Sequence, residues 1–223
     1  MGEGPELIAI FPLQQVVLFP GVRTSLHLFE PRYRQMAEQV LDGDRRIAMV
    51  TVKPECLHEM EGDPEVFDIG CAGIITQAER LPDGRHNIVL QGSHRVRILA
   101  EPERAEGQLY RTARVERLED RYEAGDAQHV VLLRARVIEL VGEMVNESES
   151  GKLRSVSPEM FEKVDDATLV NALANGLPFG PREKQSLLEA NAISERFERL
   201  ADVLSFLQAE RSCPTTQNPG AVH

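Results

Sequence analysis

Tryptophan is absent from this 223-residue chain, and tyrosine occurs only three times. Single-stranded nucleic acids are commonly held by bases stacked on aromatic rings, so this scarcity weakens that class of function. Lysine is rare too, at positions 53, 152, 163 and 184, and all basic residues together number 25 against 36 acidic ones. The net charge of −11 opposes binding to phosphate backbones and anionic lipid surfaces, leaving room only for a local arginine patch. Cysteine is limited to Cys56, Cys71 and Cys213, an odd and scattered set without the spacing of a disulfide framework. A reducing, cytoplasmic setting is expected. No stretch approaches the ~18 consecutive apolar residues that a membrane span needs. The opening MGEGPELIAIF has no basic segment ahead of its apolar residues, and Glu6 stands where myristoylation requires Ser or Thr. Neither a secretory leader nor a lipid anchor is therefore expected.

What is present suits an ordinary globular protein, with 42% hydrophobic and 27% charged residues, enough to bury a core in one large domain or two small ones. Up to about residue 120 the pattern is strand-like. Val16–Phe19 is a β-branched and aromatic run that stops at Pro20-Gly21, and Leu26 and Leu28 alternate with polar neighbours. Pro31 suits a first helical position, with Tyr33, Met36, Ala37 and Val40 at helical spacing before Asp42-Gly43. Ile47–Val52 reads as a short strand, and Leu-Pro-Asp-Gly at 81–84 predicts a hairpin between Ile69–Ala78 and His86–Leu90. Many short strands with one embedded helix predict a closed or partly closed barrel.

Beyond Asp120 the period changes. Val130, Leu133, Val137, Leu140 and Met144 form one apolar stripe of a long helix, and Asn146–Ser157 reads as a mobile polar loop. Asp165 or Asp166 can cap a helix that ends at Asn175-Gly176, Gly180-Pro181 opens another with Leu187 and Leu188 inward, and Ile193, Phe197, Leu200, Leu204 and Leu207 line a last one. The long helix and the last one are expected to pack together. The fold class is therefore α+β, with a β-rich part over residues 7–120, a helical part over 127–210 and a disordered tail over 212–223.

Catalytic chemistry finds little support. The one Gly-Lys pair, Gly151-Lys152, is followed by Leu153 and preceded five residues earlier by Asn146, so the phosphate-cradling pattern is broken at both ends. No ATP site or other cofactor is expected. Cys56 and His58 lack a second ligand pair for zinc, and Cys71, between Gly70 and Ala72 in an apolar strand, reads as a core residue, so no metal site is expected. Gly92-Ser93-His94 lacks the flanking glycine of a nucleophile elbow and reads as a hairpin turn, and no catalytic residue is assigned.

Several segments carry a family resemblance. They are Pro12-Leu13, Val-Leu-Phe-Pro-Gly at 17–21, Leu-Phe-Glu-Pro-Arg-Tyr-Arg at 28–34, Asp68–Gly73, Leu81–Arg85, Ile88–Gly92, Tyr110–Val115 and Lys184–Glu189. In this order, across residues 7 to 208, the chain resembles the LON domain, the N-terminal substrate-binding domain of Lon-type ATP-dependent proteases, also found as a stand-alone protein. The resemblance implies a PUA-like β-barrel followed by a helical bundle. It also implies a non-catalytic module that binds unfolded or exposed polypeptide segments or a protein partner, in a groove between barrel and bundle. The Phe29–Arg34 cluster has two readings. In one it is a helix start, with Glu30 at the positive helix end and Tyr33 packed on the barrel. In the other it is a rim that grips an extended chain, with Phe19, Arg23, Glu30, Arg32 and Tyr33 as the candidate binding residues. An alternative function is RNA binding by the barrel, for which Arg95, Arg97, Arg111 and Arg114 would have to form a basic face.

Overall fold

A computed structural model describes residues 4–60, 62–122, 126–147, 161 and 163–212. Six strands come first: β1 (Glu6–Leu13), β2 (Arg23–Leu28), β3 (Arg46–Thr51), β4 (Ile69–Arg80), β5 (His86–Ala100) and β6 (Thr112–Leu118). Helix α1 (Pro31–Leu41) lies between β2 and β3, and a 3-10 helix (Pro54–Glu59) follows β3. Four helices complete the described chain: α2 (Ala127–Glu147), α3 (Asp166–Gly176), α4 (Pro181–Glu189) and α5 (Ile193–Ser212). The expected mobile loop begins later than Asn146, because α2 runs to Glu147; its remainder and the expected tail beyond Ser212 lie outside the described residues.

The strands pair in the order β2-β5-β4-β3-β1-β6, and β6 returns to pair with β5. That last pairing closes five strands into a barrel and leaves β2 as a flap on β5. Among these six described strands only β1 and β3 run parallel, with β2 and α1 in the crossover between them. The period of two in each strand sorts side chains between two cores. Ile8, Ile10, Ala48, Val50, Ala72, Val96, Ala113 and Val115 come from all five barrel strands and form one cluster, the barrel interior. Ala9, Phe11, Ile47, Met49 and Cys71 point the opposite way and join α1 and the C-terminal helices in a second, larger cluster. This outward face is therefore covered, which is why β1 reads as a continuous apolar run.

The helical stripes are buried as their spacing predicts. Val130, Val137, Leu140 and Met144 of α2 meet Phe197, Leu200 and Leu204 of α5 in the larger cluster, and the two helices lie side by side. Asp165 caps α3 by accepting a hydrogen bond from the Thr168 N–H at 2.9 Å.

A buried ion network also spans the strands and helices. Arg95 of β5 and Arg196 of α5 are 2% and 0% exposed, and both reach the Asp120 carboxylate, at 3.0 and 2.8 Å. Arg95 also donates to the carbonyls of Leu188 (3.0 Å) and Ala190 (2.6 Å). Arg196 donates to the Leu187 carbonyl (3.1 Å) and to Asn171 Oδ1 (2.8 Å), and Asn171 in turn donates to the Pro20 carbonyl. Two buried cations are thus satisfied by one anion and a set of carbonyls.

Two local expectations are corrected. Val16–Phe19 is not a strand: Val17, Leu18 and Phe19 are buried from a loop, their apolar side chains plugging the larger core without joining the sheet. Gly92-Ser93-His94 is not a turn but the middle of β5. A β-carbon on Gly92 would stand 2.2 Å from the Phe19 carbonyl oxygen, so this glycine admits the loop to the sheet rather than reversing the chain. Bonds from the Gly21 N–H to the Gly92 carbonyl (2.9 Å) and from the Gly92 N–H to the Val22 carbonyl (2.8 Å) fix that approach.

Candidate functional site

The Leu28–Arg34 motif forms a structural clasp. Pro31 occupies the first turn of α1, where a missing N–H costs nothing. Tyr33 is 4% exposed and packs edge-on to Phe11, with ring centroids 4.4 Å apart. Burial pushes its hydroxyl up to about 12, outweighing the nearby Arg32 cation, so it stays neutral. The Arg32 guanidinium lies 4.7 Å from the Tyr33 ring centre and pairs with Glu30 at 2.8 Å. It also donates to the carbonyls of Met60 (2.6 Å) and Gly62 (2.9 Å), fastening the end of the 3-10 helix to α1. Arg34 does the same for the β4–β5 hairpin, donating to the Gly84 carbonyl at 2.8 Å.

Of the five residues expected to bind a polypeptide, the structure brings Glu30, Arg32 and Tyr33 into one cluster. Phe19 is wholly buried in the core and Tyr33 nearly so, so that neither ring presents a surface to a ligand. Arg23 stands exposed on β2, donating to Gln91 Oε1 at 3.1 Å. Three of the four arginines considered for RNA have protein partners. Arg95 is buried, Arg97 pairs with Glu116 at 2.7 Å, and Arg111 pairs with Glu101 at 2.6 Å.

The clasp leads to a hollow of about 330 Å³ where strands meet helices. One wall is Val52, Pro54 and Leu57, running from the end of β3 into the 3-10 helix that Arg32 holds. In a 3-10 helix residues three apart eclipse, so Pro54 and Leu57 present one apolar edge. Phe67 adds a half-buried ring, and Pro181, Arg182 and Glu183 at the start of α4 form the far wall. Gln14 and Gln15, just past β1, close the end. The backbone frame is stiff: Val52 N–H bonds to the Leu13 carbonyl, Phe67 N–H to the Thr51 carbonyl and Lys53 N–H to the Glu65 carbonyl, each at 2.9 Å. The helical wall is also tethered, since Lys184 donates to the Asn175 carbonyl at 2.7 Å and Gln185 to the Ile69 carbonyl at 2.9 Å.

The lining is mainly apolar, with amides, one cation and one anion at the edge, and Leu57 is 40% exposed there. Two larger hollows, of about 440 and 480 Å³, have more polar linings, the first including Ser25, His27, Gln77, Glu79 and Asn87, the second Glu38, Asp42, Arg80 and His86. Burial raises the Cys71 thiol far above its ordinary range, and it is sealed in the core. Among the described residues, no group of three or more His, Cys, Asp or Glu side chains is placed to hold a metal ion, and no helix is long and apolar enough to cross a membrane. Sequence reading missed Leu57, Phe67 and Arg182, which come together only through the fold; the exposed leucine after Lys53-Pro54 was the one local signal.

Comparison with known proteins agrees with this architecture. The family model of the ATP-dependent protease La (LON) substrate-binding domain matches residues 8–205. Lon protease of Escherichia coli strain K12 is 27% identical over 213 residues, covering 92% of this chain and 26% of that protein. Lon protease of Azospirillum brasilense is 25% identical over 211 residues, covering 92% and 24% respectively. The chain thus spans about a quarter of the length of the curated relatives it matches. The N-terminal domain of Mycobacterium avium complex Lon protease has a similar structure, with a TM-score of 0.69 at 15% identity over 90% of this chain and 98% of that one. The Lon N-terminal domain protein from Xanthomonas campestris gives 0.59 at 20% identity over 88% and 98%. The chain therefore belongs to the LON substrate-binding domain family.

Proposed function

We propose that this chain is a non-catalytic module that binds unfolded or exposed polypeptide segments, without ATP, in the groove between the 3-10 helix and α4. The observation that carries this reading is the mainly apolar 330 Å³ hollow with Leu57 partly exposed at its edge. A hollow of this size accepts one or two apolar side chains, at the small end of ordinary binding sites. Gln14 and Gln15 supply amides that both donate and accept. Such groups satisfy the backbone of an extended chain whatever its sequence, which suits broad recognition. Glu30, Arg32 and Tyr33 act as positioning residues, holding the 3-10 helix against α1 so that the Leu57 wall keeps its shape. The free thiols of Cys56 and Cys71 suit a reducing, cytoplasmic setting.

A fluorescence-polarisation titration with a dye-labelled, permanently unfolded model protein tests the proposal. Saturable binding is expected, weakened about tenfold or more by Leu57→Asp, since burying a leucine side chain is worth about 1.5–3 kcal/mol and each 1.4 kcal/mol is tenfold. Absence of binding up to high micromolar concentration, or equal binding by the variant, would overturn it.

A further inference from the structure

We infer that the groove selects extended segments in which a bulky apolar side chain is flanked by lysine or arginine. The inference rests on the polypeptide-binding reading above and adds the charge of the client. The apolar floor, from Val52, Pro54, Leu57 and Phe67, rewards burial of an apolar side chain but does not discriminate what lies beside it. The rim does.

Lys53 stands between the lining residues Val52 and Pro54, Glu55 follows Pro54, and Glu65 and Asp68 lie within two residues of the lining residue Phe67, all three carboxylates being exposed. Glu65 is engaged directly, as an ion pair with the Lys53 ammonium. Along segments 52–57 and 65–68 one cation thus stands against three anions, which leaves this side of the groove with two negative charges in excess. On the helical side Arg182 and Glu183 offset each other. The positive end of α4 would otherwise repel a cation, but the Glu183 carboxylate folds back over Gly180, where a β-carbon would stand 2.6 Å from its oxygen. The chain as a whole carries −11, so its long-range field has the same sign as the rim. A cationic flank is therefore drawn towards the groove and an acidic flank opposed.

Two dye-labelled peptides of equal length test this, sharing one apolar centre and flanked by lysine in one and glutamate in the other. They are titrated against the full chain at about 50 and 300 mM salt, where surface fields are weakly and strongly screened. The lysine-flanked peptide is expected to bind about three- to tenfold more tightly at low salt, as two or so exposed charge contacts allow. The margin should shrink at high salt, and Asp68→Lys, a change on an exposed side chain, should narrow it at low salt. Equal binding of the two peptides, or tighter binding of the acidic one, would overturn the charge preference and leave the polypeptide reading standing. Binding of neither peptide would overturn both.

Discussion

Replacing Asp120 by asparagine removes the anion that two buried guanidiniums share. Arg95 and Arg196 are almost without solvent contact, so neither can recover hydration without local opening. Breaking a buried pair by removing one partner costs about 3–5 kcal/mol, because the remaining charge is uncompensated. Here the carbonyls of Leu187, Leu188 and Ala190 still accept from the two arginines, and the asparagine oxygen can still accept one bond. The expected loss is therefore about 3 kcal/mol, at the lower end of that range. Against a typical domain stability of about 5–15 kcal/mol this is a large fraction. The effect must also depend on pH. Burial alone would raise the Asp120 carboxyl, but the Arg196 and Arg95 guanidiniums outweigh it and hold the group below its ordinary range. A carboxylate depressed in the folded state contributes its full stability above the unfolded value and loses it as pH falls through the folded value. The gap between wild type and Asp120→Asn should thus be widest near neutrality and shrink below about pH 4. Urea denaturation followed by far-UV circular dichroism measures it, as a lower midpoint with unchanged slope. A loss below about 1 kcal/mol at pH 7, or a gap that persists undiminished in acid, would refute the reasoning.

Two further substitutions probe the packing. Phe197→Ala empties a fully buried ring site at the α2–α5 contact and should cost about 3–5 kcal/mol, read as a clear fall in melting temperature. Gly92→Ala places a β-carbon 2.2 Å from the Phe19 carbonyl oxygen. The Pro20 loop must then shift from β5, and a loss of about 1–3 kcal/mol is expected by the same melt.

Local signals were legible where one segment decides its own conformation. Pro31 with its helically spaced followers marks α1, Leu-Pro-Asp-Gly marks the β4–β5 hairpin, and the single apolar stripe of α2 requires a partner, which α5 supplies. Legibility ended where distant segments meet. Val16–Phe19 has strand composition, yet its side chains fill the core from a loop, because apolarity specifies burial but not pairing. Arg95 and Arg196 look like surface residues in sequence; only Asp120, brought between them by the fold, makes their burial tolerable. Tyr33 read more readily as a core ring than as a gripping one, and it packs edge-on to Phe11. The groove draws Gln15, Leu57, Phe67 and Arg182 from four separate segments, so no spacing in the chain announces it.

The claim at the centre of this account is that the groove between the 3-10 helix and α4 is where a polypeptide docks. Backbone amide shifts of the isotope-labelled protein, followed by NMR as an unfolded polypeptide is added, test it most directly. The account predicts changes concentrated at Gln15, Val52, Leu57, Phe67 and Arg182, with the barrel interior at Ile10, Ala72 and Val115 unmoved. Saturable changes centred elsewhere on the surface, with the groove residues silent, would contradict it.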